Sequence, residues 1–161
     1  MTRKTPRILA GLACLSLLAG CGQEATEAPV PAPQAPYEIV TNLSETMEWI
    51  LEPAADVIWD SAGFIITAAG EEDLSPTTQE GWAQVVYASA MIAEAGNLMM
   101  LPGRSAGDDW NEYSAGMTAA GKEAMAAAQA HDADALFDAG GRIYQVCRAC
   151  HNQYWADARK D

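Results

Sequence analysis

Residues 136–154 read LFDAGGRIYQVCRACHNQY, and the spacing of their apolar positions decides the fold. Leu136, Gly140, Ile143, Cys147, Cys150 and Tyr154 step by 4, 3, 4, 3 and 4. Residues three and four apart share one face of an α-helix, so the segment predicts an amphipathic helix with a single buried stripe. The helix is expected to begin near Asp132. Both cysteines fall on the buried stripe rather than on the solvent face. Whatever they carry therefore belongs in the core.

Inside that helix, Cys147-Arg148-Ala149-Cys150-His151 is a Cys-x-x-Cys-His run, the attachment pattern of a c-type haem. Thiols at i and i+3 can add across the two vinyl groups of one porphyrin, and the following imidazole supplies a nitrogen to the iron. A zinc site would want a second cysteine pair, which the chain lacks, and a thioredoxin-like redox pair would want a βαβ setting. The expected cofactor is one covalent haem c. Cys147 and Cys150 are its thioether positions, and His151 is the proximal iron ligand.

Working outward, residues 41–161 read as helix throughout, in four segments. The first, about 41–68, carries Leu43, Met47, Ile50, Leu51, Ala54 and Ile58 at spacings of three and four, with Pro53 predicting a kink. Gly70-Glu71-Glu72-Asp73 is read as its end. Thr77-Thr78-Gln79-Glu80 is read as a capping box that opens the second helix, with Trp82, Val85, Val86, Ala90, Ala93 and Leu98 inward and Pro102-Gly103 as its stop. Asp108 or Asp109 is expected to cap the third, whose stripe is Trp110, Tyr113, Met117, Ala120 or Gly121, and Ala124. The fold class expected is all-α, an antiparallel four-helix bundle with covalently bound haem in its core.

The other end of the chain concerns location. Thr2-Arg3-Lys4-Thr5-Pro6-Arg7 is a basic n-region, and Ile8 to Leu18 is an apolar run of signal-peptide length. It meets Leu18-Ala19-Gly20-Cys21, which resembles the lipobox of bacterial lipoproteins. That resemblance implies cleavage before Cys21, lipid on its thiol, and a periplasmic protein anchored to a membrane. Gly22 in place of an aspartate resembles lipoproteins sent to the outer membrane of Gram-negative bacteria. The domain plan is a signal at 1–20, a lipidated Pro-rich acidic tether at 21–40, and a helical haem domain at 41–161. Cys14 leaves with the signal, so all four cysteines are accounted for.

Charge narrows the partners. Residues 1–20 hold Arg3, Lys4 and Arg7 and no acid, so the remainder carries 6 basic and 22 acidic side chains, a net charge of −16. Such an excess argues against nucleic acid, which needs a basic footprint, and against binding to anionic lipid headgroups. It favours electrostatic steering toward a partner with a basic docking patch.

With these residues in place, the chain resembles the cytochrome c′ family and its low-spin relatives. The shared pattern is a C-terminal Cys-x-x-Cys-His on the last of four helices, concentrated in residues 147–154, with Arg148 between the cysteines and Tyr154 three residues after the histidine. Where relatives often place an arginine, this chain has Trp155, so a charged neighbour for His151 does not carry over. The resemblance implies that the first helix supplies the residue above the second haem face. A methionine there gives a six-coordinate electron carrier, and an apolar residue gives an open site for nitric oxide or carbon monoxide. Met47 is the first helix's only methionine and the expected distal ligand; Leu43, one turn earlier, is the alternative. His131 lies twenty residues before His151, some 30 Å of helix away, which excludes bis-histidine ligation.

The expected activity is therefore one-electron transfer to a redox partner, with the gas binder as alternative. No enzymatic acid–base pair stands out, and a peroxidase would need a distal histidine that the chain cannot supply. Relatives often dimerise through their first two helices, which extends the expectation of a homodimer to this chain. Trp49, Trp59, Trp82, Trp110 and Trp155 are read as bulky core filler, and so are Met91, Met99, Met100, Met117 and Met125.

Overall fold

Four helical stretches and one small hairpin make up the described residues, 36–155 of the computed structural model. The first stretch is continuous but not uniform. It comprises α1 (Leu43–Thr46), a π-helical segment (Met47–Leu51) and α2 (Glu52–Trp59). β1 (Phe64–Thr67) and β2 (Gly70–Asp73) follow as an antiparallel pair. The long helices are α3 (Gln79–Met99), α4 (Asp108–Ala130) and α5 (Ala133–Tyr154), which pack on one another.

The hairpin corrects the expectation of helix through residue 68, while the chain is otherwise helical, with four helical stretches as expected. Phe64-Ile65-Ile66-Thr67 is an aromatic and β-branched run, which suits a strand better than a helix. Gly63, at φ 87°, carries the chain out of the helical region. The segment 70–73, read as a helix stop, is instead the second strand, with Gly70 at φ 137° closing the turn opposite Thr67.

Pro53 acts one step earlier than expected. Lacking an N–H, it cannot bond the carbonyl of Trp49, and the turn before it widens. Glu52 N–H reaches Met47 O, the longer π-helical bond. The caps also move. Asn42 and Glu45 form a reciprocal capping box that the sequence reading passes over. At α3 the cap is Thr78, whose side chain accepts from Gly81 N at 3.1 Å, so Glu80 is not a reciprocal partner. Gly107 rather than an aspartate stands at the N-cap of α4, with Asp108 and Asp109 in its first turn. α5 begins where expected, near Asp132, which serves as its N-cap by accepting from Ala135 N at 3.0 Å.

Contacts at the helix ends fix the directions. Trp82, near the start of α3, stacks on His131 at the end of α4. Trp110, at the start of α4, donates its indole N–H to Met99 O at the end of α3 and meets Tyr154 at the end of α5 edge-on. Trp59, ending α2, donates to Gly140 O in the first half of α5. Consecutive helices thus run in opposite senses. Both α1 and the C-terminal turns of α5 lie toward the α3–α4 connection.

The core is built from Ile58, Val85, Ile92, Leu136 and Ile143, all fully buried, cemented by alanines. Helices α3 and α4 come closest, because small residues let their backbones approach. A Cβ on Gly121 would lie 2.6 Å from Ala93 N, and Thr118 donates to Ala93 O at 2.9 Å. Trp82 and Trp110 are buried, as expected of filler, whereas Trp49 and Trp155 are exposed and are not. Met99 and Met117 fill the core; Met91 faces solvent. Both correct the sequence reading, which assumed that a bulky apolar side chain goes inside.

Candidate haem-attachment site

Cys147, Cys150 and His151 sit on the last turns of α5, each half-buried. Two flanks of that helix have different neighbours. On one, Gln153 accepts from the Tyr113 hydroxyl at 2.8 Å and donates to Asp109 at 2.9 Å, and Val146 lies over Gly116. That flank belongs to α4. On the other, Gly140, Tyr144, Cys147 and His151 recur at steps of 4, 3 and 4. The first two of these meet Trp59, by a hydrogen bond of 3.1 Å and an edge-to-face ring contact at 6.4 Å. The motif therefore shares the flank of α5 that turns toward the first helical stretch.

Burial along the two facing stripes fades in the same direction. On α5 it runs from Leu136, Ala139 and Ile143, all fully buried, to half-buried Cys147 and Cys150 and then exposed Tyr154. On the first stretch it runs from Ile58 at 0% exposure through Leu51 at 7% to half-buried Met47 and then Leu43 at 45%. The contacts between these elements come chiefly from α2, whereas the π-helical segment packs on α3. Met47, from the first stretch, and Cys147, from α5, are both partly buried and pack against the same core cluster. Two thiols, an imidazole and a thioether are the donor types that a haem group would use.

Both thiols are free, with no disulfide between them. Burial, followed by the neighbouring Cys150, pushes the Cys147 thiol from the ordinary 9.0 up to about 11, and burial also raises Cys150. The pair is thus protonated at neutral pH, unlike an activated redox cysteine, whose pKa is lowered. Trp155 lies edge-on to the His151 ring at 4.9 Å.

The remaining sequence candidates fall as follows. Met47 is half-buried and packs against the core cluster from the π-helical segment, toward the same end of the molecule as Tyr154. Leu43 is exposed. His131 is the left-handed C-cap of α4, stacked on Trp82 at the opposite end, so it is not brought to the site. Cys21 and the signal and lipobox residues lie outside the described residues. Among the described residues, no group of three or more His, Cys, Asp or Glu side chains is placed to hold a metal ion by itself.

Arg104 is the residue that sequence reasoning missed. It bonds Thr46 Oγ1 at 2.8 Å, Thr41 O at 2.7 Å and Thr41 Oγ1 at 3.0 Å. Thr46, fully buried, also donates to Asn42 O. This network ties the turn immediately before Met47 to the α3–α4 connection. A lone arginine in a connection gives no periodic signal by which to find it.

No family model, curated protein or solved structure significantly matches this chain.

Proposed function

We propose that this protein is a four-helix c-type cytochrome of the cytochrome c′ kind, an antiparallel bundle that carries one covalent haem and passes single electrons. The observation that carries the reading is the Cys147-x-x-Cys150-His151 run on the flank of α5 toward the first helix, where both facing stripes lose burial. Cys147 and Cys150 would hold the ring through thioethers, His151 would be the proximal ligand, and Met47 the distal one. A haem bound there supplies a one-electron couple.

The chain's own residues do the rest. Gln153 and Tyr154 pin the end of α5 to α4, which fixes the helix from which His151 projects. Arg104 and Thr46 pin the turn that precedes Met47. Two such braced elements would hold His151 and Met47 in place, so that an iron ligated by them would need little ligand movement between oxidation states. Met47 is favoured over Leu43 because Met47 packs inward while Leu43 is exposed. The acidic balance steers the protein toward a redox partner with a basic docking patch. Cys21, as lipid anchor, would keep it at the periplasmic face of a membrane, most simply the outer one of a Gram-negative cell.

The test is the optical spectrum of the purified protein, oxidised, dithionite-reduced and then exposed to carbon monoxide. The reading expects a low-spin spectrum with a thioether-to-iron band at the red edge, insensitive to carbon monoxide, and loss of that band in Met47→Leu. A high-spin spectrum that shifts at once with carbon monoxide would transfer the site to gas binding. A spectrum without haem would end the proposal.

A further inference from the structure

The hairpin is the least explained part of the molecule. Every residue of both strands is exposed. Across the ladder, Phe64 faces Asp73, Ile65 faces Glu72 and Ile66 faces Glu71, so each large apolar side chain is paired with an acid rather than with a core. A two-stranded hairpin without a buried face is marginal in water and gains from a partner.

Its two edges differ. β2 carries Glu71, Glu72 and Asp73, whereas β1 carries no charge. Charge is one means by which natural sheets guard an open edge, so β2 is guarded and β1 is not. The backbone agrees. Leu74 N donates to Gly63 O at 3.0 Å, which makes Ile65 and Thr67 the next residues hydrogen-bonded to β2. The N–H and C=O groups of Phe64 and Ile66 then point away from β2, and among the described residues no backbone group outside the hairpin pairs with them.

We propose that this outer edge of β1 is a self-association surface, on which a second copy of the chain lays its own β1 antiparallel about a two-fold axis at Ile65. Phe64 of each copy then lies opposite Ile66 of the other, which satisfies the outward backbone groups of both. Phe64 and Ile66 of the two copies join into one apolar face. The surface is self-complementary, as a two-fold contact requires. Charge selects this arrangement, because pairing through β2 would set carboxylates against carboxylates. Pairing through β1 sends the two acidic strands to the far edges of the joined sheet. Anionic lipid is disfavoured by the same three carboxylates. The inference does not depend on the haem reading.

The experiment is sedimentation velocity of the full chain as isolated, with Cys21→Ser so that lipid cannot cause association. A single-chain mass at low concentration should rise to a two-chain mass with concentration. Added salt should strengthen this, because it screens the repulsion between two strongly acidic chains. Ile66→Pro deletes one outward N–H while sparing the bonds of Ile65 and Thr67 to β2, and Ile65→Lys sets like charges at the axis. Both should remain at the single-chain mass with an unchanged circular dichroism melt. A single-chain mass for the parent at every concentration and salt overturns the proposal. So does a two-chain mass retained in both variants, or association that weakens with salt, which would point to an acid–base contact instead.

Discussion

Individual side chains around the site make two predictions. Before haem attachment, the folded chain holds the Cys147 proton more tightly than an unfolded chain does, since its thiol is raised to about 11. The stabilisation is complete below pH 9 and is lost as pH rises through the folded value. Over that window the haem-free chain should lose about 2–3 kcal/mol in denaturant melts, whereas a thioether-linked protein should show no such loss. Thr46→Val makes the second prediction. It leaves Arg104 without its shortest side-chain partner in a buried setting, and should cost about 1–3 kcal/mol by urea unfolding. The same variant should disturb the optical spectrum if Met47 ligates iron, because the turn before Met47 loses its tie. The placement of the Cys-x-x-Cys-His run on the last helix was legible, since the spacing of the apolar positions carries it. Arg104 was not, since a side chain that acts through a distant threonine leaves no local pattern.

Elements were legible in proportion to their length and regularity. α5 shows its stripe and its start in the sequence, because six positions keep one phase across its whole length. The hairpin was hidden because its strands are four residues each, too short for alternation to establish itself between Ala- and Gly-rich flanks. The π-helical segment was hidden for a different reason. It widens one turn before Pro53, and an apolar pattern with a three-to-four spacing absorbs that change without a visible break. The α3–α4 contact yields an element-scale prediction. Gly121→Ala would place a methyl 2.6 Å from Ala93 N, against rigid backbone rather than a yielding side chain. The helices must separate, and a thermal melt should show a loss of about 1–3 kcal/mol. Gly141→Ala is the control, since a Cβ there meets nothing and should be neutral or slightly stabilising.

At the scale of the molecule, charge and core have consequences that no single residue shows. An acid excess steers a basic partner from a distance, so the rate of association with such a partner should fall steeply with ionic strength in stopped-flow measurements. Burial falls from Ile58 and Ile143 toward Met47 and the cysteines, so a haem held there, as proposed, would add to the packing of that region. A Cys147→Ala, Cys150→Ala chain should therefore melt at a lower temperature by circular dichroism, with amides of Met47–Leu51 exchanging faster than those near Ile143. An unchanged melt would mean that the helices need no ring. Four helices were legible from the sequence, but which pairs pack closest was not, because that depends on how neighbouring elements fit together.

Denaturing mass spectrometry of the purified protein shows whether haem is covalently attached at Cys147 and Cys150. The expected result is a mass increased by one haem that survives unfolding, with both cysteines of the 147–150 peptide blocked to alkylation. An unmodified mass, with Cys147 and Cys150 both alkylated after unfolding, would contradict it.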